Sequence, residues 1–292
     1  MRVFFFGLGY CARRLIQREP WIEASGMART TEAVSALRDE GVEAYGFDGA
    51  EAEAGLEQAL AGAEAMVVSI PPRDGAGTAL ERFGAAIAAA PALRRVLYYS
   101  TIGVYGDHGG AWVDETSATR TRTPRGLARL EDEARWAAAA LERGAEADIL
   151  RLAGIYGPGR NTLINLSRGE ARRIVKPGQV FNRAHVDDIA AVTSLALTRG
   201  LEGQIWNVAD DDPAPPQDVV AYAAALLGVE PPPEEPFDEA QLSPRGREFY
   251  TDNKRVSIVK AKALLGFQPV YPSYREGLKV LAEAGERIER YR

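Results

Sequence analysis

A glycine-containing turn near the amino terminus constrains the fold of this chain more than any other feature. An apolar run at residues 3–6 is followed by Gly7, Gly9 and Ala12 in the spacing GxGxxA, and a helix-favouring stretch begins near Cys11. In such a strand–turn–helix unit the first glycine makes the turn, the second lets a pyrophosphate approach the backbone, and the small third residue lets the helix pack on the strand. The N–H groups of the first helical turn would hold the diphosphate. The spacing therefore predicts a dinucleotide site; the alternative is a turn that binds nothing.

The composition and charge of the chain argue against several classes of protein. Its 292 residues are 46% hydrophobic and 26% charged, which is typical of a globular protein with a sizeable core. A net charge of −6 argues against nucleic acid or an anionic membrane surface as the main partner. No apolar run approaches the length of a transmembrane helix. The single cysteine, Cys11, excludes an internal disulfide and fits a reducing compartment, so we expect a cytoplasmic protein.

Apolar runs and helical patterns alternate through the first half of the chain. The predicted strands are residues 3–6, 23–28, 42–47, 65–70, 95–99 and 148–152. Helices are predicted at, among others, residues 78–90, 125–143 and 274–289. This alternation predicts an α/β fold with a doubly wound parallel sheet. We expect residues 1–156 and 180–209 to form the dinucleotide-binding domain, and residues 157–179 and 210–292 to form a smaller carboxyl-terminal substrate lobe.

Residues at the carboxyl ends of the predicted strands are candidates for binding, because ligands of open α/β sheets collect there. Arg29 and Thr30 follow the second strand, where an acid bonds the 2′-hydroxyl of the adenosine ribose but an arginine pairs with a 2′-phosphate. Arg29 therefore predicts NADP, with NAD as the second choice, because a guanidinium suits a phosphate well. The alternative is a solvated surface arginine. Further candidates at strand ends are Asp48, Ser69, Ile70 and Pro71.

Five motifs agree in order and spacing with one known family. They are GLGYCA, YYSTIGVYGD, LRLAGIYGPGR, AHVDDIA and IWNVADDDP. With them the chain resembles the extended and atypical short-chain dehydrogenase/reductases, the NAD(P)-dependent epimerase/dehydratase group, over nearly its whole length. The resemblance implies an NAD(P)-binding Rossmann fold and an oxidoreductase or epimerase/dehydratase activity on a small polar substrate such as a nucleotide-linked sugar.

The resemblance also implies catalytic roles, and this chain departs from the family's pattern at two of them. Thr101, four residues before the tyrosine of the VYG loop, would orient the substrate hydroxyl. The family's YxxxK pair, in which the tyrosine exchanges a proton and the lysine holds the nicotinamide ribose, falls on Arg125 and Arg129. A guanidinium stays protonated, so neither arginine can act as a general base. Arg129 would still bond the ribose hydroxyls, and Arg125 would hold an anionic group of the substrate.

Another group must handle the proton if the protein turns over a substrate. Tyr105 is the preferred candidate, because its loop follows the fifth strand, and Tyr156 comes second. A neighbouring arginine would lower the pKa of such a phenol. The alternative is that both tyrosines only pack the cleft.

The motif, the strand ends and the resemblance together give two sets of binding residues. The cofactor set is Gly7, Gly9, Tyr10, Cys11, Ala12, Arg29, Thr30, Asp48, Ser69, Ile70, Pro71, Arg129 and Gly154. The substrate set is Arg125, Tyr156, Arg160, Asn161, Arg183 and His185, of which Arg160, Asn161 and Arg183 have the alternative of being solvated polar residues. No metal site is expected, because the chain has 2 histidines and no companion cluster of ligands.

Two functions are consistent with these residues and motifs. The first is an enzyme in which a dinucleotide and a non-standard proton donor act on a small-molecule substrate. The second is a catalytically silent module that senses NADP and signals to a protein partner, which the absent tyrosine and lysine favour. For either function, residues 78–90 and 125–143 are predicted helices that would pair two copies into a homodimer, as in relatives.

Overall fold

The computed structural model describes residues 1–72, 79–199 and 201–286. Its central element is a seven-stranded sheet. In chain order the strands are β1 (Arg2–Phe6), β2 (Glu23–Ala28), β3 (Glu43–Gly46), β4 (Ala65–Val68), β5 (Arg95–Thr101), β7 (Glu146–Leu152) and β11 (Ile205–Val208), and their order across the sheet is β11-β7-β5-β4-β1-β2-β3. Strand β1 pairs in parallel with β2 on one side and β4 on the other, so the strand order reverses there. This is the place where open α/β sheets bind ligands.

Helices follow most strands of this sheet along the chain. They are α1 (Tyr10–Arg18), α2 (Thr31–Asp39), α3 (Leu56–Ala61), α4 (Ala79–Ala89), α5 (Pro124–Arg143) and α7 (Val186–Thr198). The predicted α/β fold with a doubly wound sheet is confirmed. Residue 78, predicted to begin the helix that the structure starts at Ala79, lies outside the described residues.

Short elements make up most of the rest of the described chain. Three two-stranded pairs join β6 (Trp112–Val113) to β13 (Arg255–Val256), β8 (Gly154–Tyr156) to β10 (Arg183–His185), and β9 (Arg173–Val175) to β12 (Glu234–Pro236). The helices are α6 (Thr162–Ser167), α8 (Pro216–Leu227), α9 (Pro244–Glu248) and α10 (Tyr274–Glu283), with a 3₁₀ turn at Ile102–Tyr105 and a π turn at Ala261–Leu265. Residues 287–289, the predicted end of the last helix, are outside the described part of the chain.

The chain divides into two compact units. The first contains Met1–Val104, Arg122–Arg151 and Ile189–Trp206, and the second contains Tyr105–Thr121, Leu152–Asp188 and Asn207–Arg292. The division into a cofactor domain and a substrate lobe stays a prediction.

Strand β1 forms because its side chains are apolar throughout, as expected for a strand covered on both faces. Val3, Phe4, Phe5 and Phe6 are all fully buried. The Phe6 ring lies 5.3 Å from Trp136 of α5 and 6.1 Å from Phe83 of α4, measured between ring centroids. Aromatic pairs at such distances add to the free energy of burial. The packing therefore holds both helices against one face of the sheet.

Helix α5 has clear sequence signals at both ends. Its cap residue, Thr123, accepts a hydrogen bond from Gly126 N (3.0 Å), and Pro124 occupies the first helical position. Gly144 ends the helix in the left-handed region with φ of 74°. The helix therefore keeps a fixed register, and its buried face includes acidic residues as well as Trp136.

Those acidic residues include a member of a buried ion pair within the first unit. Glu133 Oε1 accepts hydrogen bonds from Ser100 Oγ (2.5 Å) and Arg151 Nε (3.1 Å), and Glu133 Oε2 accepts one from Arg151 Nη2 (2.8 Å). Both charges are therefore compensated, which a buried pair needs in order to survive its desolvation. The pair fixes α5 to β5 and β7.

Candidate functional site

The turn after β1 has the geometry that its glycines predict. Gly7 has φ of 101°, a region that other L residues rarely adopt. A Cβ atom there would lie 2.8 Å from Ser69 Oγ and 2.9 Å from Ile70 Cγ2. Ser69 Oγ also donates a hydrogen bond to Gly7 O (2.7 Å). The turn is therefore packed directly against the end of β4 and has no room for a side chain.

The second glycine of the motif faces open space instead. Gly9 precedes α1 as its cap residue, with φ of −87° and no side-chain hydrogen bond to the helix end. A Cβ atom at Gly9 would meet no other atom within 4 Å in the part of the chain described. The first turn of α1 contains no acidic residue. Its N–H groups and the positive end of the helix dipole are therefore suited to an anion.

The remaining motif residues lie in this first turn. Tyr10 begins α1 and is partly buried, whereas Cys11 and Ala12 are buried on the helix face that packs on the sheet. Ala12 is completely buried, as a small residue in close helix–strand packing should be.

A crevice of about 300 Å³ opens beside this turn. Its described lining residues are Gly7, Leu8, Gly9, Met27, Ala28, Arg29, Ala33, Phe47, Gly49, Ile70, Pro71, Ala79, Asp132 and Trp136. All belong to the first unit. The crevice joins the glycine turn to the ends of β2 and β4, where a dinucleotide was predicted.

Arg29 supplies a cation to the crevice. It follows β2, is exposed, and its guanidinium forms no hydrogen bond or ion pair within residues 1–72, 79–199 and 201–286. An unpaired guanidinium in a crevice is available to an anionic ligand group.

Other predicted cofactor residues have local structural roles. Thr30 caps α2 by accepting a hydrogen bond from Ala33 N (3.2 Å). Asp48 Oδ1 accepts hydrogen bonds from Ala50 N (2.8 Å) and Glu51 N (3.0 Å) and is not part of the described crevice wall. The structure thus brings Gly7, Gly9, Arg29, Ile70 and Pro71 together at the crevice, whereas Thr30 and Asp48 stabilise the turns around it.

Arg129, predicted to fall at the position of the family's lysine, is hydrogen-bonded to strand β5. Its Nη1 atom donates hydrogen bonds to Tyr98 Oη (2.9 Å) and Tyr99 O (3.0 Å). The Tyr98 hydroxyl in turn donates to Asp132 Oδ2 (3.3 Å). Burial raises the pKa of Tyr98 despite the Arg129 charge, so this phenol stays protonated. Arg129, Tyr98 and Asp132 form a chain of hydrogen bonds, called here the α5 relay.

Two predicted residues near this relay differ in their surroundings. Arg125, predicted to fall at the position of the family's tyrosine, is exposed and has no hydrogen bond or ion pair to any described residue. Thr101 ends β5, is partly buried, and its Oγ1 atom accepts a hydrogen bond from Gly103 N (3.1 Å). Their assigned roles at a substrate stay predictions.

In the second unit, Tyr105 is completely buried. Its hydroxyl donates a hydrogen bond to Asn207 Oδ1 (2.7 Å), and Asn207 Nδ2 donates to Ser257 O (3.1 Å). This arrangement supports the alternative in which Tyr105 packs the fold. Proton transfer by Tyr105 stays a prediction that neither of these contacts supports.

Tyr156 and His185 pack together in the same unit. Their rings meet edge to face with centroids 5.0 Å apart, and the His185 ring lies 4.0 Å from that of Tyr271. A Cβ atom on Gly277 would lie only 2.1 Å from Tyr156 Oη, so α10 approaches this tyrosine closely. Burial raises the pKa of Tyr156, and Asp210 and Asp188 add to the effect. Tyr156 is therefore poorly suited to act as a base.

Arg183 and Asp210 are a basic and an acidic residue whose proximity the sequence pattern did not indicate. Arg183 Nη1 donates hydrogen bonds to Phe181 O (2.9 Å) and Ala214 O (3.3 Å). Asp210 is 2% exposed, and neither carboxyl oxygen finds a hydrogen-bond partner of normal geometry among the described residues. Burial raises the pKa of Asp210 to about 8, although the Arg183 charge opposes the shift. The WNVADDDP motif contains Asp210 and could have identified it as a candidate, but nothing in the motif indicates that Asp210 is buried.

The other predicted residues of this unit lie in turns and strands. Asn161 caps α6 by accepting a hydrogen bond from Ile164 N (3.2 Å), and its Nδ2 atom donates to Gly157 O (3.0 Å). Arg160 is exposed beside it. Gly154, predicted to contact the cofactor, lies in β8, and its N–H group donates to Asn182 O (3.0 Å). Roles of these residues in binding stay predictions.

The described residues contain neither a metal-binding cluster nor a membrane-spanning helix. No group of three or more His, Cys, Asp or Glu residues in the described ranges could hold a metal ion. Within the same ranges, every helix is too short or too polar to cross a bilayer.

Comparison with known proteins places this architecture in a family. The model of the NAD-dependent epimerase/dehydratase family matches residues 81–209. Protein YeeZ of Escherichia coli K12 is 32% identical over 291 residues, which cover 93% of this chain and 96% of YeeZ.

Solved structures share the fold of this chain. The structure of a functionally unknown conserved protein from Silicibacter pomeroyi is 41% identical, covers 98% of this chain and 99% of its own, and has a TM-score of 0.87. UDP-glucuronic acid 4-epimerase from Bacillus cereus in complex with NAD has a TM-score of 0.74 at 17% identity, covering 97% and 98% of the two chains, which shows a shared fold. The resemblance drawn from the sequence motifs is confirmed: the chain belongs to the NAD-dependent epimerase/dehydratase family.

Proposed function

We propose that this protein binds NADP in the crevice beside the glycine turn and acts as an oxidoreductase or epimerase/dehydratase on a small polar substrate. The observation that carries the proposal is the juxtaposition, in one crevice, of the packed turn at Gly7, the open backbone at Gly9 and the guanidinium of Arg29, which pairs with no described residue. When bound, the nicotinamide would supply hydride transfer. The protein's own residues would bind the diphosphate at α1 and the 2′-phosphate at Arg29.

The preference for NADP over NAD rests on Arg29. An acid at the end of β2 would bond a free 2′-hydroxyl and repel a phosphate, whereas this chain has a cation there. The structurally similar Bacillus cereus epimerase was solved with NAD, so NAD is the alternative cofactor. That protein is a UDP-glucuronic acid 4-epimerase, which supports a nucleotide-sugar-like substrate for this chain. Arg125, exposed and unpaired within the described chain, would suit an anionic group of such a substrate.

A catalytically silent NADP sensor is the second candidate, and the α5 relay favours it. Arg129 uses its Nη1 hydrogen bonds on Tyr98 and Tyr99, and Arg125 carries a permanent positive charge. Neither group can replace the family's tyrosine as a base. A silent module would have a different affinity for its protein partner with NADP bound than with NADPH bound, because a ligand shifts a conformational equilibrium only through differential affinity.

Thermal unfolding with NAD, NADH, NADP and NADPH tests the proposal. A ligand that binds only the folded state at about 100 times its dissociation constant adds about 2.7 kcal/mol to the free energy of unfolding. We expect the phosphorylated forms to raise the unfolding temperature most. The variant Arg29→Ala should weaken NADP binding at least about tenfold and leave NAD binding within about threefold, as expected for loss of one charged hydrogen-bonding partner.

The control for this variant is Arg199→Ala, which removes an exposed arginine outside the described crevice wall. Its binding of all four dinucleotides should match that of the unmodified protein. Failure of every dinucleotide to stabilise the protein would refute the proposal. If binding is found, oxidation or reduction across a panel of nucleotide sugars, alcohols and carbonyls separates the enzyme from the silent sensor.

A homodimer through α5 remains part of the proposal. Leu127 and Leu141 are 52% and 78% exposed on this helix, and their spacing of about four turns puts them on one side. Exposed leucines on one helix face are suited to pairing with a second copy. Sedimentation of the protein and of the variant Leu141→Glu would test this, because the charge should shift a dimer to monomer.

A cytoplasmic location stays a prediction from the single cysteine.

A further inference from the structure

The crevice contains an acidic side chain that the proposed function does not use. Asp132 lies on α5, three residues after Arg129, and lines the crevice although the residue is only 4% exposed. A buried carboxylate is costly unless it is partnered, and it would repel the phosphates of a dinucleotide. Exposure to solvent therefore does not explain why an acidic residue lies at this position of the crevice.

The α5 relay fixes the orientation of this carboxyl group. Asp132 Oδ2 accepts the hydrogen bond from Tyr98 Oη (3.3 Å), and Tyr98 Oη accepts one from Arg129 Nη1 (2.9 Å). The other oxygen, Oδ1, has no donor among the residues that the structure describes. Oδ1 of Asp132 is thus a hydrogen-bond acceptor in the crevice wall that is available to a donor on a ligand.

The surroundings of Asp132 indicate which part of a ligand meets it. The described wall also includes the apolar side chains of Met27, Phe47, Ile70 and Trp136, which suit a flat, uncharged ring. Arg29 in the same crevice is the cation proposed to hold the phosphate on the adenosine ribose. The adenine base on that ribose would therefore lie in the apolar part of the crevice. Its exocyclic amine is the hydrogen-bond donor that adenine would offer there.

The sequence predicts a different acid, Asp48, as a cofactor-binding residue. Asp48 Oδ1 is engaged with the backbone N–H groups of its own turn, and Asp48 is absent from the described crevice wall. We propose that Asp132, positioned by Tyr98 and Arg129, is a specificity-determining residue that accepts a hydrogen bond from the exocyclic amine of the adenine base. This inference rests on the proposed function, since it concerns the same crevice.

A comparison of NADP with its deaminated analogue tests the inference without any variant. Nicotinamide hypoxanthine dinucleotide phosphate has a carbonyl oxygen where adenine has the amine, so it would place an acceptor against the acceptor of Asp132. Calorimetric titration of the unmodified protein should show NADP binding at least about tenfold more tightly than the analogue, because a buried acceptor is then left unpaired.

The variant Asp132→Asn provides the decisive comparison. An asparagine amide can donate as well as accept, whereas an ionised carboxylate only accepts. The variant should bind the two ligands within about threefold of each other, or prefer the analogue. The matched control is Glu131→Gln, which removes one carboxylate from the adjacent exposed position and should keep the preference for NADP. Unfolding without ligand checks that both variants are folded.

The outcomes distinguish a failure of this inference from a failure of the proposed function. Equal affinity of the unmodified protein for NADP and the analogue would overturn the role of Asp132 and leave NADP binding intact. A preference that persists unchanged in Asp132→Asn would place the base-reading group elsewhere and likewise overturn it. Absence of binding by either ligand would overturn the proposed function and the inference together.

Discussion

The two glycines of the amino-terminal turn should respond in opposite ways to the same substitution. In Gly7→Ala the new methyl group would lie 2.8 Å from Ser69 Oγ and 2.9 Å from Ile70 Cγ2, on a backbone with φ of 101°. The left-handed conformation costs about 1–2 kcal/mol for a residue with a Cβ atom, and overpacking adds about 1–3 kcal/mol. We expect a loss of about 2–5 kcal/mol in the free energy of unfolding, hence a fall of roughly 5–15 °C in the unfolding temperature.

In Gly9→Ala the methyl group meets no described atom within 4 Å, and φ is −87°. The unfolding temperature should fall by only about 1–3 °C, since alanine is a poorer cap residue than glycine by about 0.5–1 kcal/mol. The methyl group would instead occupy the space where a diphosphate approaches α1. Affinity for NADP should fall at least about tenfold, because overpacking of the methyl group against the bound diphosphate would destabilise the complex.

Differential scanning fluorimetry with and without NADP measures both effects in one experiment. The expected pattern is a destabilised Gly7→Ala protein and a stable Gly9→Ala protein that needs at least about ten times more NADP for the same stabilisation. Normal NADP binding by Gly9→Ala would refute the assignment of the open space to the ligand. An unchanged unfolding temperature for Gly7→Ala would refute the packing argument for the turn.

Three further substitutions test buried polar groups. Glu133→Gln should cost about 3–5 kcal/mol in urea unfolding, because it leaves the buried Arg151 charge without its partner. Burial raises the folded-state pKa of Asp210 to about 8, above its value in the unfolded chain. Between about pH 4 and about pH 8 this carboxyl therefore binds more protons in the folded protein, and its contribution to the free energy of unfolding falls as the pH rises. Asp210→Asn should abolish that part of the slope, and parallel slopes for the two proteins from about pH 5 to about pH 8 would contradict the burial argument. Tyr105→Phe should lose about 1–2 kcal/mol through the hydrogen bond to Asn207, and any activity found should persist; loss of turnover in a stable variant would restore Tyr105 as the proton donor.

The elements of the sheet could be predicted from the sequence because their burial leaves a direct pattern. Residues 3–6 and 65–68 are continuous apolar runs, as strands covered on both faces must be. The turn at Gly7 followed from its spacing, and the structure shows the positive φ that such a turn requires. Short pairs such as β8 with β10 left no comparable signal, because three residues are too few for a periodic pattern.

The site was harder to predict because its charged residues are held by tertiary contacts. Arg129, Asp132 and Trp136 are spaced as one helical face, so helical periodicity could have made Asp132 a candidate once Arg129 was assigned to the cofactor set. An acidic residue on a long helix usually faces solvent, so the sequence alone gives no sign that Asp132 is buried. The burial of Asp210 likewise depends on packing that its acidic sequence neighbours do not indicate.

The sequence motifs predict that Arg125 and Arg129 stand at the family's tyrosine and lysine positions, and the structure shows which contacts Arg129 makes from helix α5. A lysine can offer its ammonium group to a ribose, whereas Arg129 uses its planar guanidinium to bond Tyr98 and Tyr99 of β5. Those bonds hold the Tyr98 hydroxyl, which in turn orients Asp132 in the crevice wall. Arg129, predicted at the position of the family's lysine, thereby belongs to a network that ends at the wall of the proposed NADP site. A guanidinium cannot serve as a base, but these contacts let Arg129 help to hold the crevice wall.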